Sequence, residues 1–234
     1  MKQVVQNLKN GKTRLVNVPL PILKKGQIQI QTSVSLISSG TEKMLMNFGK
    51  ANYVNKIIQQ PDKFKIAINK MKTDGIKPTL ETIFNKLDQP LPLGYCNVGE
   101  VVETKSGGFS LGDRVVSNGK HAEYVAVPKN LCAKIPDNVD FESASFAVLG
   151  SVALQGIRLA SPALGERIVV SGLGLVGLMT VQMLLANGCK VLGIDFDSKR
   201  CDLAKSYGAD IVDLSKDEDP LEKGWLYKII IKNK

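Results

Sequence analysis

Three glycines and one aspartate are the residues whose types and spacing most clearly could do chemistry. Gly172, Gly174 and Gly177 stand in GxGxxG spacing directly after the apolar run Ile168-Val169-Val170. That pattern suits a strand–turn–helix unit holding a pyrophosphate. Gly172 permits the tight turn, Gly174 leaves room where the backbone meets the phosphates, and Gly177 lets the helix pack closely on its strand. The helix start would offer free N–H groups and the positive end of its dipole. Asp195 ends the next apolar run, "KVLGID". An acid there accepts hydrogen bonds from the adenosine ribose hydroxyls and repels a 2′-phosphate. The pattern therefore predicts an NAD site, with NAD favoured over NADP. A glycine-rich βα turn followed by an acid also fits S-adenosylmethionine, so a methyltransferase-like protein remains an alternative on these residues alone.

The elements needed to position these groups are legible around them. Helical patterning after Gly174 runs to Asn187-Gly188, a second helix is expected over roughly 198–207, and "DIVDL" reads as a third strand. "FESASFAVLGSVALQGIRLA" reads as one long apolar helix from Phe141, with Asp140 or Ser143 able to cap its start. Upstream the pattern is β. "QIQIQTSVSLI" alternates over 27–37, with Ile28, Ile30, Thr32, Val34 and Leu36 on one face. Short strands resume from Val98 in "GEVVETKSGGFSLGDRVVS" and "HAEYVAVPKNLCAKIP", as a barrel or sandwich requires. Between these regions, residues of about 43–90 carry apolar positions at helical spacing and read as a helical insertion.

The stretches "LISSGTE", "PLGYCNVGEVVE", "FSLGDRVV", "HAEYVAVP" and "AVLGSVALQGI", followed by the glycine motif, occur in one order over residues 1 to about 214. In that order they resemble the medium-chain dehydrogenase/reductase family, the zinc-type alcohol dehydrogenase-like proteins. The resemblance implies an α/β plus β fold: a GroES-like β-barrel domain over 1–140, carrying the insertion, then a partial Rossmann domain with a parallel sheet over 141–234. The insertion resembles a narrower bacterial branch whose members often carry a second oxidoreductase domain and are linked to cell-surface polysaccharide synthesis. It also implies NAD-dependent hydride transfer to or from a carbonyl or alcohol, with a sugar-related substrate among the options.

Departures from the family pattern are as informative. The position of the family's first zinc-ligating Cys is Ser39, its His is Tyr95, its Glu is Cys96, and the further ligand falls near Val148 to Gly150, where no side chain coordinates. Zinc needs thiolate, imidazole or carboxylate in a tetrahedral set, so no metal is expected. The resemblance then leaves Thr41, matching the hydroxyl that passes the substrate proton, and Tyr95, beside the reacting oxygen, as catalytic candidates. Glu42 aligns with a family acid and equally reads as a helix-start partner of Thr41. His121, the only histidine, matches no family ligand and reads as a strand-edge residue. Ser35, Ser38 and Ser39 have no His or acid at relay spacing in the sequence, so no hydrolase triad is expected.

Composition narrows the partners. The net charge of +9 comes from 31 Lys+Arg against 22 Asp+Glu, with the lysines scattered rather than blocked. A solvated basic surface and a small-molecule substrate are expected, with no nucleic acid and no membrane. No apolar run reaches bilayer length, no signal peptide is visible, and the four cysteines form no CxxC pair. A cytoplasmic location with reduced thiols follows as the default. After Leu214 the segment "SKDEDPLEKGWLYKIIIKNK" matches no family pattern, although "WLYKIII" reads as a strand. A full dinucleotide fold uses two βαβαβ halves, so a homo-oligomer or a complementing chain is one expectation. A non-catalytic remnant or nucleotide-binding module is the other.

Overall fold

The computed structural model describes residues 1–38, 40–51, 88–216 and 228–232, with the single positions Asn69, Gly75 and Asn85; the side chains of Leu45, Phe48 and 228–232 fall outside the description. Most of the expected insertion therefore lies outside the described residues. Its start is a helix, α1 (Thr41–Lys50).

By their internal contacts the residues form two units, Met1–Phe146 and Ala147–Lys234. The division falls after Phe146 rather than after residue 140. The short helix α2 (Phe141–Ala144) packs with the first unit, where the Arg114 guanidinium lies 4.7 Å from the Phe141 ring centre. Arg114 also donates to the Val139 carbonyl at 2.6 Å. Asp140 caps α2 by accepting from the Ser143 N–H at 2.6 Å. The single long helix expected from Phe141 is thus two, α2 and α3 (Ala147–Ala160).

In the first unit the antiparallel strands β1 (Lys2–Gln6), β2 (Thr13–Asn17) and β4 (Leu91–Pro92) form a small sheet in the order β2-β1-β4. A larger antiparallel sheet contains β3 (Gln27–Ser35), β5 (Asn97–Thr104), β6 (Arg114–Ser117), β7 (Tyr124–Pro128) and β8 (Cys132–Lys134), in the order β7-β3-β5-β6-β8. The alternation in β3 explains its place inside the sheet, between β7 and β5. Ile28 and Ile30 are fully buried with Val101, Val115, Val125 and Val127, while Gln31 and Ser33 face solvent. The register of β3 against β5 shifts between Gln29 and Ile30 and again between Thr32 and Val34. Such bulges bend a strand and re-aim its end, and β3 ends at Ser35.

The second unit is a parallel sheet in the order β11-β10-β9-β12, built from β9 (Arg167–Ser171), β10 (Lys190–Asp195), β11 (Asp210–Asp213) and β12 (Lys228–Lys232). Strands covered on both faces read as continuous apolar runs, and β9 shows why. Ile168 and Val170 enter a core with Leu173, Val181, Leu184 and Val191, whereas Val169 packs with Leu192 and Val212. Helix α4 (Leu175–Ala186) buries Gly177, Thr180, Val181 and Leu184, one stripe at helical spacing. Helix α5 (Ser198–Ser206) is capped by Asp197, whose side chain accepts from the Lys199 and Arg200 N–H groups. The segment that matched no family pattern supplies β12, which lies beside β9. Among the described residues no helix is long and apolar enough to cross a membrane.

Candidate functional site

The glycine loop leaves β9 and enters α4 at the C-terminal edge of the parallel sheet, where open α/β sheets bind ligands. Gly172 has φ +90°, a left-handed backbone that favours glycine, and its N–H donates to the Ile194 carbonyl at 2.8 Å. A Cβ on Gly177 would lie 1.9 Å from the Gly172 oxygen, so only glycine lets the helix approach the loop. Gly174 differs: a Cβ there would meet nothing within 4 Å, and no side chain caps the helix that it opens. The loop is thus tight where it packs and open at Gly174, where the start of α4 offers N–H groups without intrahelical partners, as a phosphate requires.

Asp195 stands beside this opening at the end of β10. Its Oδ2 accepts from the Leu173 N–H at 2.6 Å and its Oδ1 from the Asp197 N–H at 2.9 Å. A carboxylate can accept about four hydrogen bonds, so capacity remains for hydroxyl donors. The Arg200 guanidinium lies 4.0 Å from Oδ2. One strand further, Asp213 is held well below the usual carboxylate range, first by the Ser198 hydroxyl and then by that of Ser215. Its role is internal, joining the start of α5 to the end of β11 through Ser198 Oγ at 2.6 Å.

The first unit holds a second constellation, and here the sequence reading needs correction. His121 is not a strand-edge residue: it is only 8% exposed and both ring nitrogens are engaged. Nδ1 lies 2.8 Å from Ser35 Oγ and Nε2 lies 3.0 Å from Glu42 Oε2. Glu42, also buried, accepts the Ser38 N–H on Oε1 at 2.9 Å. A serine, the histidine and an acid therefore meet in space, although the histidine lies 86 and 79 residues along the chain from the other two. The backbone positions the ring, since the His121 N–H donates to the Leu93 carbonyl and its carbonyl accepts from the Val4 N–H, both at 2.9 Å. Gly94, at φ +90°, lies against the ring so closely that a Cβ would come 2.7 Å from two of its carbons. Ser35, Glu42 and His121 line a cleft of about 410 Å³ whose walls include Val4, Met46 and Leu93.

The two catalytic candidates do not line that cleft. Thr41 is exposed at the first position of α1, and Tyr95 is half-buried in the turn before β5. Ser39 lies outside the described residues. Cys96, fully buried, has its thiol pushed up to about 11 by burial and then by the charge of Glu42, so it stays protonated near neutral pH. All four cysteines are free. Among the described residues no group of three His, Cys, Asp or Glu side chains is arranged to hold a metal ion.

No family model matches the chain. Curated relatives do. The chain is 31% identical over 132 residues to an alcohol dehydrogenase of Geobacillus stearothermophilus, a match covering 55% of this chain and 37% of that protein. It is 32% identical over 124 residues to the D-guloside 3-dehydrogenase of Escherichia coli K12, covering 50% and 35%. The solved structure of galactitol-1-phosphate dehydrogenase from Escherichia coli shares the fold, with a TM-score of 0.70 at 19% identity over 95% of this chain and 63% of that one. In sequence the chain is similar to alcohol dehydrogenases over about half of its length, and it shares its fold with solved dehydrogenases. The matched part is a little over a third of these curated relatives' length.

Proposed function

We propose that this protein is an NAD-linked oxidoreductase that works without zinc, its first unit GroES-like and its second Rossmann-type. It would move hydride between the nicotinamide and a carbonyl or secondary alcohol carbon of a small hydroxyl-bearing molecule. The observation that carries this reading is the pairing of the open Gly174 position with the Asp195 carboxylate, which Leu173 N–H holds at the same strand ends. The loop N–H groups and the α4 start would hold the pyrophosphate, and Asp195 the adenosine ribose. When bound, the dinucleotide supplies the hydride chemistry itself, and the protein supplies orientation and electrostatics. The negative charge of Asp195 supports NAD over NADP. The relatives that act on alcohols and on a guloside support a hydroxyl-rich substrate.

The zinc-free reading rests on the residues at the family's ligand positions. Tyr95 and a neutral, buried Cys96 replace a basic ligand pair. Without a metal the substrate oxygen needs a protein group to exchange its proton, and Thr41 and Tyr95 are the hydroxyls that the family pattern offers. The test is NAD reduction by a panel of polyols and glycosides, followed by nicotinamide absorbance. Turnover that survives chelation, and that falls at least tenfold in Asp195→Ala, is the expected result. Turnover restored only by added zinc would refute the metal-free reading.

A further inference from the structure

We propose that Ser35, His121 and Glu42 form a proton relay, with Ser35 Oγ meeting the hydroxyl or carbonyl oxygen of a substrate in the first-unit cleft. This rests on the oxidoreductase reading above and puts Ser35, in place of Thr41 or Tyr95, at the substrate proton, because Ser35 lines the cleft and neither of those does. The direction of the relay follows from the partners of Glu42. Its Oε1 takes the Ser38 N–H and its Oε2 faces His121 Nε2. An ionised carboxylate only accepts, so Nε2 carries the hydrogen. In the neutral ring Nδ1 is then a bare acceptor, and it faces Ser35 Oγ at 2.8 Å. The serine hydroxyl therefore donates inward, leaving its lone pairs for a donor in the cleft.

Burial makes the path one-ended. His121 and Glu42 are 8% and 5% exposed, whereas Ser35 is half-buried and borders the cleft. A substrate would thus meet the hydroxyl, with the imidazole acting through it. The titratable groups around the ring are Glu42, the Lys43 ammonium at the cleft and the Cys96 thiol near Glu42. In alcohol oxidation the substrate O–H bond breaks and its proton binds Ser35 Oγ, while the serine's own proton passes to His121 Nδ1. A bound nicotinamide would supply the electron acceptor for the hydride of the substrate carbon. On the protein the transferred proton then rests as an imidazolium balanced by the Glu42 carboxylate. Reduction runs the same transfers in reverse. Ser35 is the catalytic residue of this scheme; His121 stores the proton, and Glu42 is a positioning residue that fixes the tautomer.

The chain's single histidine makes the test direct, because ring ¹⁵N resonances of the whole chain labelled with [¹⁵N]histidine assign themselves. At neutral pH the expected tautomer carries hydrogen on Nε2, and added trifluoroethanol, the probe alcohol, shifts the Nδ1 resonance. Ser35→Ala should abolish that shift and weaken the alcohol's apparent Kd about fivefold, the loss of one hydrogen bond, while Ser35→Thr keeps both. Glu42→Gln, whose amide oxygen would keep the Ser38 N–H and whose NH2 would face Nε2, should move the ring hydrogen to Nδ1. A ring protonated on Nδ1 at neutral pH, or an Nδ1 resonance indifferent to the alcohol, overturns the relay. Acylation of Ser35 by p-nitrophenyl acetate would overturn it in favour of a nucleophilic hydroxyl. NAD affinity measured on the same samples separates the readings: its absence refutes the dinucleotide site whatever the histidine does.

Discussion

In the second unit the groups that would meet a ligand are loop N–H groups and one carboxylate, all drawn from residues between Gly172 and Arg200. In the first they are the side chains of Ser35, Glu42 and His121, brought together by β3, α1 and the segment before β7. The former site is built mainly from backbone, whose conformation depends on a few glycines. The latter is built from side chains, whose meeting depends on strand bulges, a helix start and the bonds that clamp His121 between Val4 and Leu93. A backbone site tolerates change in its neighbours but not in its glycines. A side-chain site fails when any one partner moves.

Gly177→Ala is the harshest way to break the comparison. Its Cβ would strike a backbone oxygen at 1.9 Å, which cannot rotate aside. A loss of about 3 kcal/mol in the second unit, with dinucleotide binding abolished, is expected in denaturant titrations and calorimetry. The counterpart in the first unit is Gly94→Ala, which places a Cβ 2.6 Å from the His121 backbone nitrogen at a left-handed φ. It should cost about 2 kcal/mol and displace the imidazole while leaving NAD affinity unchanged; a parallel loss of NAD binding would show that the two sites are not separately built.

Glu42 sharpens the same contrast. Glu42→Ala strands the Ser38 N–H and the His121 ring N–H, and should cost about 2 kcal/mol. Glu42→Gln keeps an acceptor for the Ser38 N–H and turns an amide NH2 towards Nε2, so its melting temperature should stay near wild type while the ring hydrogen moves to Nδ1. Equal destabilisation by both would reduce the acid to packing. The smallest effect belongs to Asp213, whose carboxyl is held below its ordinary value by Ser198 and Ser215. Its stabilising contribution is therefore present above the unfolded carboxyl pKa of about 4 and lost as pH falls below that value towards the depressed one. Asp213→Asn should flatten the acid limb of the stability curve, with urea midpoints as the measure.

The contrast also explains what the sequence allowed to be read. Strand β9, the loop, α4 and Asp195 are contiguous, and each residue reports its own constraint through glycine spacing or apolar run, so their positions could be written down in advance. The meeting of Ser35, Glu42 and His121 could not be read in advance, because these residues carry no spacing signal that joins the histidine to the other two. Their contact is created by folding. One clue existed, since Glu42 aligned with a family acid. The break between α2 and α3 was hidden for another reason: the apolar pattern continues through Ser145 and Phe146, and only the packing of Phe141 against Arg114 gives α2 to the first unit.

The central claim, that the glycine loop and Asp195 hold NAD, is tested most directly by calorimetric titration of the purified chain. NAD, NADP and S-adenosylmethionine would each be titrated into wild type and Asp195→Ala. The account predicts that NAD binds most tightly, that Asp195→Ala weakens it about tenfold while narrowing the gap to NADP, and that S-adenosylmethionine gives no heat. A folded chain that binds S-adenosylmethionine, or that binds NAD equally well with and without the Asp195 carboxylate, would contradict it.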